Sequence, residues 1–133
     1  MRNFATSLSF LCLFLVSVSA NAASSFNDYK PGMVESALKK GETVFIDFYA
    51  TWCGTCRTQE RVINALVEKN PEYKDAMTFI KVNWDEFGNS EIARKYNIPR
   101  RSTLIVLRGD EVLGKVVAQT ASGTIKKLMD KGL

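Results

Sequence analysis

Cys53 and Cys56 are the residues of this sequence best suited to do chemistry. They stand three positions apart in the run Asp47-Phe-Tyr-Ala-Thr-Trp-Cys-Gly-Thr-Cys56. A disulfide between such near neighbours closes too small a loop to add much stability to a fold. The pair is therefore read as reactive, either exchanging thiols for disulfides or holding a metal. Cys53 sits where a strand-like stretch gives way to a helix. Unpaired backbone N–H groups and the helix dipole favour a thiolate there. Cys56, one turn later, faces inward with Ile63 and Val67 and should be the less exposed sulfur. Cys53 is thus expected to attack a partner, forming a mixed disulfide that Cys56 resolves.

Asp47 is an acid inside an apolar stretch, on the opposite face from Phe48 and the same face as Tyr49. Burial without a partner makes such a carboxyl hold its proton more tightly than usual. Beneath Cys56 it could take the proton of the resolving thiol. Trp52 flanks the nucleophile and offers a flat apolar contact to a docking peptide. Arg57 could place positive charge near the thiolate, or simply be a solvated helix charge. Trp84 could cap the same surface or pack internally.

The elements that must position these residues follow from periodicity. Val34, Ala37 and Leu38 recur at helical spacing before Gly41. Thr43 to Ala50 reads as a buried strand, and Gly54 to Asn70 as a long helix stopping before Pro71. Its inner face carries Cys56, Ile63, Leu66 and Val67. Met77 to Asn83 is a second strand and Ser90 to Tyr96 a short helix. Thr103 to Leu107 and Glu111 to Ala118 form a hairpin about the Gly109-Asp110 turn. A last helix carries Ile125, Leu128 and Met129. The expected fold class is α/β, in the order α-β-α-β-α-β-β-α. The early strands should pair in parallel and the hairpin antiparallel. Ser24 to Gly32 reads as an irregular lead-in.

The chain has 133 residues, a formal net charge of +4 and no histidine. Mechanisms that need an imidazole are therefore excluded. Lys and Arg are interspersed with Asp and Glu, so no basic patch supports nucleic-acid binding. Arg2, the apolar run Leu8 to Val18 and the small residues of Ala20-Asn21-Ala22 read as a cleaved secretory signal peptide over residues 1–22. Residues 23–133 are then a single, soluble domain. Cys12 would be lost with the leader, leaving Cys53 and Cys56 alone in an oxidising compartment.

The segment Phe45-Ile-Asp-Phe-Tyr-Ala-Thr-Trp-Cys-Gly-Thr-Cys-Arg57 resembles the active site of thioredoxins, and the resemblance spans nearly all of residues 33–133. It implies a thioredoxin fold, a mixed central sheet flanked by helices. It also implies attack by Cys53, resolution by Cys56 and proton transfer assisted by Asp47. No cofactor is implied beyond the redox-active disulfide itself. The partners are protein thiols and disulfides, with a membrane thiol–disulfide transporter as electron donor in the periplasm.

Two departures from the family stand out. Thr55 replaces the proline usual between the cysteines. At the place of the family's cis-proline, just before Thr103-Leu104, stands Ser102, whereas Pro99 lies three residues earlier. A cis bond before serine costs about 2.5–4 kcal/mol, so the Arg101–Ser102 peptide is expected to be trans. Ser102 at this place is similar to a bacterial subgroup of small exported thioredoxin-like proteins. In the family the backbone here binds the substrate chain, which makes Arg101, Ser102 and Thr103 candidate substrate-binding residues beside Trp52. Arg100 and Arg101 would favour acidic partners. The alternative function is a binding module in which the two thiolates hold a metal or iron–sulfur cluster, shared across a dimer because two cysteines cannot fill a tetrahedral site.

Overall fold

The computed structural model describes residues 25–133. The signal peptide expected at residues 1–22, with Cys12, lies outside the described residues. No helix among the described residues is long and apolar enough to cross a membrane.

Five strands form one sheet in the order β1-β3-β2-β4-β5. β1 is Asn27–Asp28, β2 Thr43–Tyr49, β3 Met77–Asn83, β4 Thr103–Arg108 and β5 Glu111–Val117. β1 and β2 lie parallel to β3, while β4 is antiparallel to both β2 and β5. The parallel core strands and the terminal hairpin match the sequence reading, and the mixed sheet flanked by helices is the thioredoxin fold. A bulge at Val106/Leu107 fits the β4–β5 hairpin to its twist.

The helices are α1 Met33–Lys39, α2 Gly54–Lys69, α3 Glu72–Ala76, α4 Trp84–Phe87, α5 Glu91–Lys95 and α6 Ser122–Asp130. Three elements go beyond the sequence reading. β1 forms within the expected irregular lead-in because β3 offers a free parallel edge. Asn27 Nδ2 donates to the Phe79 carbonyl at 3.2 Å, and the Tyr29 N–H donates to the Lys81 carbonyl at 3.0 Å. α3 is a single turn begun at Pro71, whose fixed φ suits a helix start. α4 is one turn capped by the Asn83 side chain, which accepts from the Asp85 N–H at 3.1 Å.

Alternation along the central strands gives the sheet two apolar faces. Phe45, Phe79, Leu104 and Val106 pack under α2 and α6 with Ile63, Leu66, Ile125 and Leu128. Val44, Ile46, Phe48, Ile80 and Ile105 pack on the other face with Val34, Ile92 and Ala93. Trp84 belongs to this second cluster, its ring edge-on to Phe48 at 6.4 Å between centroids. It packs internally and does not cap the cysteine surface. Asp47 falls between Phe45 and Tyr49 in the alternation, and so points toward the α2 face.

Candidate active site

Cys53 is the N-cap of α2. Its backbone is extended, with φ −85° and ψ 111°, and its sulfur accepts the Cys56 N–H at 3.2 Å. A sulfur thus stands where Ser or Asp oxygens usually cap, receiving a backbone donor and facing the positive end of the helix dipole. Cys53 and Cys56 are joined in a disulfide. Burial does not distinguish the two: Cys53 is 3 % exposed and Cys56 2 %. The expected difference in exposure is therefore absent, and position on the helix is what sets Cys53 apart.

Ser102 lies against both sulfurs. Its Oγ is 3.2 Å from Cys53 Sγ and 3.1 Å from Cys56 Sγ, and the residue is fully buried. The Arg101–Ser102 peptide is trans, as expected, and Ser102 has φ 61°. That is the left-handed region, costly for a residue with a Cβ. The conformation is held by its neighbours. The Ser102 N–H donates to the Phe48 carbonyl at 2.7 Å, and its carbonyl accepts from the Ala118 N–H at 2.8 Å. Gln59 Nε2 donates to the same carbonyl at 3.1 Å and to that of Gln119 at 3.0 Å.

Asp47 is 2 % exposed, and its Oδ1 has no hydrogen-bond partner. Burial is the main cause that pushes its carboxyl up to about 8; Glu60 adds to the rise and Lys81 opposes it. An acid with that value can both take and give a proton near neutrality.

Trp52, Asp85 and Arg101 come together at the surface. Trp52 is 57 % exposed, which excludes ordinary core packing. Its indole N–H donates to Asp85 Oδ2 at 2.8 Å, and the Arg101 guanidinium lies over its ring at 4.3 Å. Arg57 folds back to donate from Nη1 to the Thr51 carbonyl at 3.2 Å, bracing the loop before the nucleophile. Thr103 is buried, and its hydroxyl donates to the Arg100 carbonyl at 2.7 Å. It shapes the loop and offers no accessible side chain. Arg100 is exposed.

Gln59 and Asp85 were not legible as site residues. Gln59 follows Cys56 by three positions, and a polar residue there interrupts an otherwise apolar inner face. Asp85 depends on a bond to a tryptophan 33 residues away. Among the described residues, no three or more His, Cys, Asp or Glu side chains gather where a metal ion could be held. A metal on the two sulfurs would have to draw its other ligands from outside such a cluster.

Comparison with known proteins agrees with this geometry. The thioredoxin family model matches residues 27–131. Thioredoxin 1 of Synechococcus elongatus is 30% identical over 116 residues, covering 87% of this chain and 100% of that protein. The crystal structure of Schistosoma mansoni thioredoxin is 34% identical, with a TM-score of 0.63, over 82% of this chain and 97% of the other. The crystal structure of Trxlp from Edwardsiella tarda, 24% identical, shares the fold with a TM-score of 0.65 over 76% of this chain and 96% of the other. A helix-capping cysteine pair in the matched strand-to-helix context makes this chain a thiol–disulfide oxidoreductase, and it belongs to the thioredoxin family.

Proposed function

We propose that this protein is exported through a cleaved signal peptide and reduces or exchanges disulfides of other proteins in the periplasm. A membrane thiol–disulfide transporter would return it to the dithiol state. The observation that carries the exchange chemistry is the Cys53 sulfur at the N-cap of α2, accepting the Cys56 N–H. Support for export is the arrangement of Arg2, the apolar run to Val18 and Ala20-Asn21-Ala22. Support for the reducing direction is the Gly54-Thr55 dipeptide together with the lack of any histidine to stabilise a strongly oxidising thiolate.

In the reductive direction the Cys53 thiolate attacks one sulfur of a partner disulfide. A Cys53–partner bond forms, the partner S–S bond breaks, and the second partner sulfur leaves as a thiolate. Cys56 then loses its proton and attacks Cys53. The mixed disulfide breaks, the Cys53–Cys56 bond forms, and the partner leaves with two electrons gained. Asp47, on the α2 face beneath the pair, is the group suited to accept the Cys56 proton and pass one to the departing thiolate. Trp52 and the backbone around Arg101 and Ser102 would meet the partner chain.

Equilibration of the Cys53–Cys56 couple with dithiothreitol buffers tests the direction. A potential near about −270 mV is expected, while a value near about −120 mV would assign an oxidant instead. Sequencing the N-terminus of the protein recovered from the periplasm tests export. Ala23 is expected at the start, and a chain retained in the cytosol with its leader intact would overturn that part.

A further inference from the structure

The geometry points to Ser102 as a fourth catalytic residue beside Cys53, Cys56 and Asp47: in the reduced enzyme its hydroxyl donates a hydrogen bond to the Cys53 thiolate while accepting one from the Cys56 S–H. This deepens the exchange reading and rests on it, but not on the direction of electron flow or on export.

A hydroxyl has one hydrogen to donate and two lone pairs. In the oxidised pair neither sulfur carries a hydrogen, so the hydroxyl at 3.1–3.2 Å from both can only donate to one of them. Reduction by two electrons and one proton, supplied by a dithiol that itself becomes a disulfide, breaks the S–S bond and leaves a thiolate on Cys53 and a thiol on Cys56. The single hydroxyl hydrogen then goes to the stronger acceptor, the Cys53 anion, and the free lone pair faces the Cys56 S–H. The chain Cys56 S–H···Oγ–H···S⁻ Cys53 polarises in one direction and adds to the Cys56 N–H already aimed at Cys53 Sγ.

The placement outlasts reduction because nothing that fixes it involves sulfur. Ser102 is tied by its N–H to Phe48, and by its carbonyl to Ala118 and Gln59. Gln59 lies on α2 three residues after Cys56, so it locks the serine to the helix that carries the pair. A buried serine held at φ 61° is the kind of local strain that persists where the surroundings over-determine it, and here it delivers a donor to the reacting atoms. The charged groups near the pair are Asp47 from β2, Arg57 and Glu60 from α2, Lys81 from β3, Asp85 from α4 and Arg101 from the loop before β4. None of them supplies a hydrogen bond to either sulfur among the described residues.

The test is titration of the Cys53 thiolate by its ultraviolet absorbance in reduced wild type, Ser102→Gly and Ser102→Ala. Glycine keeps the left-handed backbone without strain, whereas alanine keeps the Cβ and the strain, and both lack the hydroxyl. Both variants should titrate about one pKa unit higher than wild type, a tenfold weaker thiolate equilibrium. The potential should become more negative by up to about 30 mV, the same tenfold factor for a two-electron couple. An unmoved pKa in a folded Ser102→Gly would overturn the proposal, as would a shift confined to Ser102→Ala, which would mark a backbone effect. Cys53→Ser provides the separate control and should abolish the low-pH step, leaving only the Cys56 thiol titrating at higher pH. If it does not, Cys53 is not the low-pKa thiol and the exchange reading itself falls.

Discussion

The two ends of the sheet treat polar groups in opposite ways. At the end away from the cysteines they are paired. Arg108 Nε donates to Thr43 Oγ1 and Arg108 Nη2 to the Gly132 carbonyl, each at 3.0 Å. Thr78 donates to Glu42 Oε2 at 2.7 Å, and Asp130 is held by Tyr73 and Lys126 together. Lys126 first and Tyr73 second keep the Asp130 carboxyl below its ordinary range. At the cysteine end Asp47 Oδ1, Gln59 Oε1 and Arg101 Nε are buried without partners, and Ser102 has a left-handed backbone. Asp47 is raised where Asp130 is lowered. The polar groups paired at the first end are mostly exposed or half-buried. Three of the five buried side-chain atoms without a partner among the described residues gather at the second, the others being Glu35 Oε2 and Asn64 Oδ1. Unsatisfied burial is thus concentrated where bonds are made and broken. If this contrast is functional, substitutions at the first end should change stability alone, and those at the second should change chemistry, even at a gain in stability.

The largest effect belongs to the sulfurs. Cys53→Ser should reduce turnover of a protein disulfide to the uncatalysed background. Cys56→Ser should still attack but fail to resolve, accumulating a covalent mixed disulfide visible by mass on a non-reducing gel. Wild-type activity in Cys53→Ser, or trapping by that variant instead, would reverse the assigned roles.

Asp47→Asn comes next and separates the ends most sharply. It should slow exchange by roughly 100-fold, the lower end of what a positioned acid–base group contributes. It should also stabilise the fold in a pH-dependent manner. The native carboxyl, at about 8, keeps a proton that the unfolded chain has released above its ordinary value of 3.8. The unfolded state therefore binds fewer protons between those values, and wild-type stability falls as pH rises from about 4 to about 8. Asparagine carries no such penalty. Its advantage should be small at pH 4, grow to about 2–5 kcal/mol by pH 8 and then level off. Parallel denaturation curves for the two proteins across that range would break the comparison.

At the paired end, Arg108→Ala removes two hydrogen bonds and should cost about 1–2 kcal/mol in urea denaturation. The reduction potential should not move. A shift in potential would mean that the ends are coupled through the sheet.

The sequence made the cysteine pair, Asp47 and the β2-to-α2 junction legible because their signals are local: a short motif, a strand pattern and a helix start. What stayed hidden depends on tertiary contact. β1 is two residues that are strand only because β3 leaves an edge beside them. The two sulfurs are buried alike, with Ser102 Oγ against both, and a helix-face argument contains neither fact. Alignment on Thr103-Leu104 could place Ser102 near the pair, but its conformation is imposed by Phe48, Ala118 and Gln59 from three other parts of the chain. Thr103 is expected to meet substrate through its backbone, and its hydroxyl is turned instead to the Arg100 carbonyl, a contact between loop and strand that no local pattern announces.

The smallest expected effect concerns Arg101, and it asks whether the unpaired end also selects partners. Its guanidinium stacks on the ring of the exposed Trp52, beside the nucleophile, while Asp85 holds the indole by its N–H. The stack at an exposed site is worth about 0.5–1 kcal/mol. Arg101→Gln should therefore lower kcat/KM only a few-fold, and mainly for disulfide peptides with acidic flanks, because the charge steers them. Added salt should erase the wild-type preference as screening shortens the reach of the charge. Arg101→Lys keeps the charge but loses the planar stack, so it should retain the acidic preference with a looser Trp52, seen as a change in indole fluorescence. Equal losses for acidic and neutral peptides in Arg101→Gln would leave Arg101 as a brace for Trp52, and partner choice would then have to come from the backbone of the loop.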